Sequence, residues 1–253
     1  MESFPNTLRH WRGLRRFSQL DLAEEAGIST RHLSFLETGR ARPSRDMVLR
    51  LGETLELPLE ARNAMLTAAG FAARYRSSDW TEADMTPVRA AIARTLSNHM
   101  PFPALALDRL WRIQQANPAA LMLFAPFGIG EGGSLLELMM SEALPLAIEN
   151  WPEVAHHAAQ RLRVESAAEG GIAEFAAAIA HLEAVPRPVH LPRTPVIPTI
   201  LRQGDVRLSL FATIAQFGTP EDLSLGSLKI ELYFPMDEAT EAIFASTLGQ
   251  ISS

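Results

Sequence analysis

The sequence predicts two domains, an all-helical N-terminal domain followed by an α+β domain. Its 253 residues exceed what one small helical module needs. Helix caps and apolar positions at helical spacing fill residues 1–70, whereas strand patterns begin near residue 103 and return after residue 196. The two parts also differ in charge. Residues 1–80 carry 12 Arg and 10 acidic residues, whereas the remainder carries 11 basic and 19 acidic residues.

Composition narrows the classes of function. Hydrophobic residues make up 47% of the chain and charged residues 21%, which is typical of a globular protein. The chain has no cysteine, so disulfides, thiol catalysis and Cys-ligated zinc are excluded. No apolar run approaches the ~18 residues of a membrane span, and the N-terminus lacks the apolar core of a secretory signal. We therefore expect a cytoplasmic protein that does not contact a membrane.

Start and stop signals predict consecutive helices in the N-terminal domain. The first helix is predicted over Pro5–Arg16, and Ser18 with Asp21 resembles a capping box that opens the second helix. Gly27 can end the second helix in a left-handed conformation, and Ser29 can cap the third. Two further helices are predicted over Arg45–Leu55 and from Pro58 to Gly70.

The third helix has an apolar side and a polar side. Leu33 and Leu36 fall on the apolar side and explain the fold. The polar side has no folding role and carries Thr30, Arg31, Ser34, Phe35 and Thr38. An arginine in the first turn can pair with guanine, and Phe35 can contact a thymine methyl group. The alternative is that this side is only a solvated surface and that Phe35 packs against the fourth helix.

Residues 5–70 resemble the XRE family, the lambda-repressor-type five-helix DNA-binding domain. The resemblance depends on Ser18-Gln19 at the start of the second helix and on residues 36–39, Leu-Glu-Thr-Gly, at the end of the third. It implies a regulator that binds two half-sites of a double-stranded DNA operator as a homodimer, and it implies a structural pair between Glu37 and Arg12. The DNA-contacting residues that it implies are Gln19, Ser29, Thr30, Arg31, Ser34 and Phe35, with Arg40, Arg42 and Ser44 at the phosphates.

The second domain is predicted from strands that flank a helical region. Residues 74–84 are polar and aperiodic, and we predict a linker there between domains at residues 1–73 and 85–253. Strands are predicted over Pro103–Asp108 and Trp111–Ala116, and Asn117-Pro118 starts a helix that ends at Phe124. The next helices are predicted over Leu135–Met140, Leu144–Ala167 and Ile172–Leu182. The later elements are strands over Ile197–Arg202, Arg207–Phe217 and Ser227–Phe234, a hairpin turn at Gly204-Asp205, and a helix over Asp237–Leu248. A sheet with helices on one face fits an α+β fold.

The order strand, tight turn, strand, Asn-Pro-Ala-Ala helix resembles the beginning of a PAS domain. Nearly the whole chain is similar to the MmyB-like regulators, which join an XRE domain to a PAS-like ligand-binding domain. The matching segments are residues 32–44, 62–63, 68–70, 150–151, 217–220, 234–235 and 237–240. The resemblance implies a transcription factor, with lipid-like ligands for some members of the family.

We expect the PAS-like domain to bind a small apolar ligand, for which a fatty acid is one candidate, in a cavity between sheet and helices. The predicted lining residues are Leu105, Leu107, Leu121, Phe124, Trp151, His156, Phe211, Phe217 and Tyr233. The polar end of the ligand would contact one of four side chains, His156, Arg161, Arg163 or Arg207. Their positions in the sequence do not indicate which one. In the alternative, the apolar residues fill a core and the domain serves only dimerisation or recruitment of a protein partner.

No motif predicts catalysis, a metal site or a cofactor. Residues 128–133 match G-x-G-x-x-G, but no strand precedes them, so they predict a loop. His156 and His157 are adjacent and would point about 100° apart on a helix, which makes them a poor metal pair. We therefore predict that the protein is not an enzyme.

Overall fold

The structure is a computed structural model and describes residues 3–187, 195–218 and 220–249. Within this range the chain forms two compact units, one of residues 3–77, 167–171 and 220–226, the other of residues 78–166, 172–187, 195–218 and 227–249. Residues 74–77 of the predicted linker are part of the first unit. Thr219, in one of the segments that resemble the MmyB-like regulators, lies outside the described residues.

The first unit contains the five predicted helices. They are α1 (Phe4–Leu14), α2 (Gln19–Glu25), α3 (Thr30–Glu37), α4 (Arg45–Thr54) and α5 (Leu59–Ala68). The predicted capping box is present, since the Ser18 hydroxyl accepts from the Asp21 backbone N–H at 3.1 Å and the Asp21 carboxylate accepts from the Ser18 backbone N–H at 3.1 Å. Gly27 has the left-handed conformation that ends α2, with φ of 65°.

Apolar residues from all five helices meet in one core, whose most buried members are Leu8, Leu22, Leu33, Leu36, Leu51, Met65 and Leu66. Asn63 of α5 extends this unit beyond the helices. Its side-chain oxygen accepts from the backbone N–H groups of Arg74 (2.9 Å) and Tyr75 (3.0 Å), and its amide donates to the Tyr75 carbonyl at 2.7 Å. Residues 74 and 75 are therefore held against α5.

The remaining elements alternate helices and strands. After a 3₁₀ turn (Ala83–Met85) the helices are α6 (Thr86–Asn98), α7 (Pro118–Phe124), α8 (Leu135–Met139), α9 (Ala143–Ala147), α10 (Trp151–Ala168), α11 (Phe175–Glu183), α12 (Leu223–Gly226) and α13 (Glu238–Gly249). The strands are β1 (Ala104–Leu107), β2 (Ile113–Ala116), β3 (Thr199–Gln203), β4 (Val206–Gln216) and β5 (Lys229–Pro235). A second 3₁₀ turn (Ala125–Phe127) follows α7.

The five strands form one antiparallel sheet in the order β2-β1-β5-β4-β3. Leu105 is opposite Glu231, and Phe211 is opposite Phe234. β3 and β4 form the predicted hairpin around Gly204, whose φ is 60°. The α+β prediction is therefore confirmed.

Helices cover both faces of this sheet, so the prediction of helices on one face is wrong. Leu105 and Leu107 pack with residues of α8, α10 and α11, whereas Ala104 and Ala106 pack with Ile92 and Leu96 of α6 on the other face. Helix α6 was not predicted because its apolar stripe is narrow. Only Ile92 and Leu96 of the helix are buried.

The helix predicted over Leu144–Ala167 is divided into α9 and α10, which corrects that prediction. Residues 148–150 leave the helical path to contact the outer edge of β3. The Glu149 backbone N–H donates to the Ile200 carbonyl at 2.9 Å, and the Asn150 side-chain oxygen accepts from the Ile200 N–H at 3.0 Å. The helix restarts at Trp151, where Pro152 is tolerated because first-turn N–H groups need no helical partner.

The strand predicted over Trp111–Ala116 begins later, at Ile113. The Asp108 carboxylate accepts from the backbone N–H groups of Leu110 (2.8 Å) and Arg112 (2.9 Å). These bonds extend the turn and hold Trp111 at a φ of 59°, outside the strand conformation.

Candidate functional site

The third helix presents a polar surface over a buried apolar side. The Ser29 hydroxyl caps it by accepting from the His32 N–H at 3.2 Å, while Leu33 and Leu36 are fully buried. On the outer side Arg31 is exposed, and Thr30, Ser34 and Phe35 are half-buried. The Arg31 guanidinium lies 5.3 Å from the centre of the Phe35 ring. This contact orients Arg31 along the outer surface of α3.

One buried carboxylate, Glu37, joins the first three helices. Arg12 of α1 binds it with two nitrogens, at 2.6 and 3.1 Å, so the implied pair between Arg12 and Glu37 is present. The amide of Gln19 in α2 donates to Glu37 at 2.6 Å. Gln19 therefore helps to fix α2 against α3, and its contact with DNA stays a prediction.

The turn between α3 and α4 carries the other predicted DNA contacts. Its path is fixed on α3, because the Phe35 carbonyl accepts from the backbone N–H groups of Arg40 (2.9 Å) and Ala41 (3.2 Å). Arg40 and Arg42 are exposed, and Ser44 caps α4 by accepting from the Met47 N–H at 3.2 Å. A capping hydroxyl still has its own proton, so Ser44 can donate to a phosphate oxygen.

The second unit contains an apolar cavity of about 100 Å³ between the sheet and helices α7 to α10. Side chains with polar groups are few in its wall and comprise Thr199, Trp151 and Tyr233. The rest of the wall is Leu123, Phe124, Phe127, Leu135, Leu138, Met139, Leu144, Ile148, Val154, Ala158, Leu201 and Leu210. Apolar cavities of this size can stay dry and take up small apolar molecules.

A second cavity, of about 120 Å³, adjoins the first. The two share Leu123, Phe127 and Leu201 in their walls, and the second also reaches Arg202 and Gln203. Arg202 and Arg207 both bind the Glu149 carboxylate, with Arg207 Nε at 3.1 Å. Hydrogen bonds from Arg202 and Arg207 hold the pKa of Glu149 below its usual value. The wall of the second cavity thus includes an arginine, Arg202, that was not among the predicted ligand anchors.

Three of the predicted lining residues, Phe124, Trp151 and Tyr233, line the first cavity. Leu105 and Leu107 are instead completely buried in the core, Leu121 is 38% exposed, and the His156 Nε2 lies 2.9 Å from the Val185 carbonyl oxygen. The structure does not bring these four to the cavity.

Phe211 and Phe217 lie on the other face of the sheet. Side chains alternate along a strand, so Leu210 faces the cavity while Phe211 stacks on Phe234 at 5.5 Å. Phe217 packs with the cluster that contains Ile92. The role of all nine residues in ligand binding stays a prediction. Helical spacing of Leu135, Leu138 and Met139 on α8 was the available signal for the missed wall residues.

Beside the first cavity lies a group of buried and partly buried charges, Arg161, Glu165, Lys229 and Glu231, called here the charged cluster. The Glu165 carboxylate accepts from Arg161 Nε and Trp111 Nε1, both at 2.9 Å, and from Lys229 Nζ at 2.5 Å. Arg161 Nη2 lies 2.6 Å from Glu231, as an ion pair without hydrogen-bond geometry. Burial raises the pKa of Glu165, but Lys229 and Arg161 lower it more, so the pKa lies below its usual value.

Tyr233 connects the first cavity to the charged cluster. Its ring lines the cavity and its hydroxyl donates to Glu231 at 2.9 Å. Burial, reinforced by the Glu231 charge, raises the pKa of Tyr233 well above its usual value. The predicted polar anchors have partners elsewhere, Arg161 in the charged cluster, Arg163 with Glu183 and Arg207 with Glu149.

Two kinds of feature are absent from the described residues, a metal-binding cluster and a membrane-spanning helix. No group of three or more His, Cys, Asp or Glu side chains in this part of the chain could hold a metal ion. None of the described helices has both the length and the apolar character needed to cross a membrane.

Comparison with known proteins identifies both halves of the chain. Residues 6–65 match a helix-turn-helix domain, and residues 88–246 match the MmyB-like transcription regulator ligand binding domain. Among solved structures, the PAS domain from Bordetella pertussis BvgS is 16% identical, with 66% of this chain and 99% of that chain covered and a TM-score of 0.30. No curated protein matches the sequence. The resemblance to the MmyB-like regulators is confirmed, and the chain belongs to this family as a DNA-binding transcription regulator with a ligand-sensing domain.

Proposed function

We propose that this regulator reads an operator with the outer side of α3 and senses a small apolar molecule in the first cavity. The observation that carries the proposal is an apolar cavity within a family of ligand-sensing domains, in the same chain as a helix whose exposed side carries Arg31. A cavity favours sensing over the alternative that the second domain only dimerises or recruits a partner.

The DNA contacts divide into base readout and phosphate binding. Arg31 would form a bidentate pair with guanine, Phe35 would meet a thymine methyl group, and Thr30 and Ser34 would add polar contacts in the major groove. The residues that would set the register on the backbone are Gln19, Ser29, Arg40, Arg42 and Ser44. Two copies would bind two half-sites about one helical turn apart, so the active form would be a homodimer.

Substitution of one arginine tests the readout. Once an operator is selected from random duplexes, Arg31→Ala is expected to weaken binding by about 1–3 kcal/mol and to relax the preference at one base pair. Arg50→Ala is the control, since Arg50 is also exposed but lies on α4. Equal affinity and equal base preference for Arg31→Ala and the unaltered protein would remove Arg31 from the readout.

A fatty acid fits the chemistry of the two adjoining cavities. Its chain would occupy the apolar first cavity, and its carboxylate would reach Arg202 through the second. An ionised carboxylate needs such a partner, because its burial without one is costly. Arg202 is 55% exposed, so its guanidinium can donate to the carboxylate of the acid in place of solvent while it keeps its contact with Glu149.

The ligand can be identified and its orientation tested. Mass spectrometry of the native protein should find an apolar acid, and a fatty acid at 100 times its dissociation constant should stabilise the fold by about 2.7 kcal/mol. Arg202→Ala should weaken binding of the acid and leave the alcohol of equal chain length unaffected, whereas Arg163→Ala should change neither. If no apolar compound co-purifies or stabilises the protein, the sensing proposal is wrong.

Ligand binding would act on DNA binding through a shift in population. A ligand that prefers one of two conformations raises the share of that conformation, and only its differential affinity does so. Operator affinity measured with and without the identified ligand should therefore differ, and the ligand affinity should change by the same factor when operator is present.

A further inference from the structure

Part of one strand has no neighbour on its outer side among the described residues. β3 pairs with Val206–Leu210 of β4, and β4 continues beyond this to Gln216 with only β5 beside it. Residues Ala212–Gln216 are all exposed. We call this segment the β4 edge.

The direction of the backbone groups follows from two hydrogen bonds. The Tyr233 N–H donates to the Pro103 carbonyl, so the backbone N–H and C=O groups of Tyr233 point away from β4. Ala212 is the register partner of Tyr233, so its backbone groups must point away from β5. At the other end of the β4–β5 pair, the Met236 N–H donates to the Ser209 carbonyl, so Ser209 points toward β5, and the alternation along β4 is the same. The outward N–H and C=O groups of the β4 edge therefore belong to Ala212, Ile214 and Gln216.

The other outer edges of the sheet are covered by loops. On β2, Ile113 exchanges backbone hydrogen bonds with Gly132 (2.7 Å) and Gly133 (2.9 Å). On β3, Ile200 is bound by Glu149 and Asn150. Proteins blunt exposed edges in this way, or with charges and prolines, because an unprotected edge pairs with other chains.

The β4 edge has neither kind of protection in the described part of the chain. Residues 211–217, Phe-Ala-Thr-Ile-Ala-Gln-Phe, include no charge and no proline, and they favour strand formation. Ile214 is 46% exposed, and Val164 of α10, which lines the same surface cleft, is 63% exposed. An uncharged strand can approach its own copy without like-charge repulsion, which favours a second copy of this chain as the occupant.

The geometry points to the β4 edge as the dimer interface of this regulator, where β4 of one copy pairs antiparallel with β4 of another around a two-fold axis at Ile214. Ile214 would lie opposite Ile214, and Ala212 opposite Gln216, each pair exchanging both backbone hydrogen bonds. The two sheets would become one continuous sheet, and the exposed Ile214 and Val164 side chains would be covered. The inference rests on the homodimer proposed above and names the surface that forms it.

Solution mass of the full chain tests the interface. Analytical ultracentrifugation should show a dimer that dissociates on dilution. Ala212→Pro removes an outward N–H without breaking a bond to β5, and Ile214→Lys adds an edge charge. Each should raise the dimer dissociation constant at least about tenfold, which corresponds to about 1.4 kcal/mol. Leu146→Lys adds the same charge at an 88% exposed apolar residue of α9, outside the β4 edge, and should leave the dimer dissociation constant unchanged.

A cross-link tests the register, because the natural chain has no cysteine. Opposed residues of a hydrogen-bonded pair have Cα atoms about 5.5 Å apart, within the span of a disulfide. Ile214→Cys should therefore form a covalent dimer on mild oxidation, while Leu146→Cys should not. This variant leaves the backbone unaltered, so it answers the question even if Ala212→Pro misfolds.

The outcomes separate the interface from the rest of the proposed function. A monomer at all concentrations, or a dimer that persists in Ala212→Pro and Ile214→Lys and gives no Ile214→Cys cross-link, overturns the proposal. A monomer whose 212–216 amides exchange slowly with solvent also overturns it, because its own chain then covers the edge. None of these results changes the base preference measured with Arg31→Ala, which tests the DNA readout separately.

Discussion

A single carboxylate, Glu37, accepts hydrogen bonds from two other helices of the first unit. Arg12 of α1 and Gln19 of α2 both donate to it, and Glu37 itself lies near the end of α3. The side chain is 2% exposed, so it is well shielded from water. The relative placement of the three helices therefore depends on a buried carboxylate, whose loss would leave Nε and Nη2 of Arg12 and the amide of Gln19 without their acceptor.

We expect Glu37→Ala to destabilise the first unit by about 3 kcal/mol, the lower end for removal of one partner from a buried ion pair, because Arg12 keeps some access to solvent. Glu24→Ala, at an exposed position of α2, should have little effect. Urea unfolding followed by circular dichroism measures both. Equal midpoints for the two variants would show that Glu37 is not a structural charge.

Glu165 makes the second unit sensitive to acid. Its pKa in the folded protein lies below the ordinary value of 4.5. A lowered carboxyl pKa contributes stability above the ordinary value, and this stability is lost as pH falls through the folded pKa. Protonation would also deprive Lys229, Arg161 and Trp111 of their acceptor.

Hydrogen exchange of peptides from α10 and β5 should therefore accelerate as pH falls below about 4.5, after correction for the intrinsic rate. Glu165→Gln should exchange faster than the unaltered protein at pH 7 and show a weaker pH dependence, because glutamine does not titrate there. A steep acid response that survives in Glu165→Gln would assign the titration to another group.

At the scale of elements, Asn117 connects three of them. Its side-chain oxygen accepts from the N–H groups of Ala120 (2.9 Å), which caps α7, and of Ala104 (3.0 Å), at the start of β1. Its amide donates to the carbonyls of Leu96 (3.1 Å), near the end of α6, and Phe102 (2.8 Å). The cap was predictable from Asn-Pro, but the other three bonds join segments that only the fold brings together.

Asn117→Ala should destabilise the second unit by about 3–4 kcal/mol, more than the ~1 kcal/mol of an ordinary cap, because buried carbonyls and N–H groups lose their partners. Asn117→Asp separates the two explanations. Aspartate caps helices as well as asparagine does, yet it cannot donate to Leu96 and Phe102. Thermal unfolding should show that Asn117→Asp is nearly as unstable as Asn117→Ala, and full stability of Asn117→Asp would reduce Asn117 to a cap.

Local chemistry explains which elements the sequence could predict. The Ser18 box, the Ser29 cap and the left-handed Gly27 each act within a few residues, so they can be identified before the fold is known. The face that a strand presents depends on its partners instead. Alternation shows that Leu210 and Phe211 face opposite ways, but the cavity side was decided by the pairing of Leu210 with Thr199 in β3.

The break after α9 has the same origin. Residues 148–150 follow the helical pattern in sequence, yet they complete the edge of a strand that occurs 50 residues later. Arg202 was not predicted in the wall of the second cavity because it lies on that later strand, β3. Contacts between distant segments thus account for the parts of the site that the sequence did not predict.

At the scale of the whole molecule, charge is divided along the chain. Residues 1–80 carry 12 Arg against 10 acidic residues, and the rest carries 11 basic against 19 acidic residues. Phosphate binding should therefore be confined to the N-terminal domain. Each phosphate neutralised releases counterions, so the logarithm of affinity falls with the logarithm of salt by about 0.9 per contact.

This dependence on salt tests both the phosphate contacts and the dimer interface proposed at the β4 edge. Fluorescence anisotropy titrations with operator duplex, at 50 to 300 mM KCl, should show that Arg40→Ala lowers the salt slope by about 2, one contact for each copy, with equal effects on all sequences. Arg163→Ala, in the acidic second domain, should leave the slope unaltered.

Ala212→Pro should bind one half-site and show about half the slope, because half of the phosphate contacts disappear with the second copy. An unaltered slope in Ala212→Pro, with weaker binding, would mean that two copies still occupy the operator and that another surface joins them.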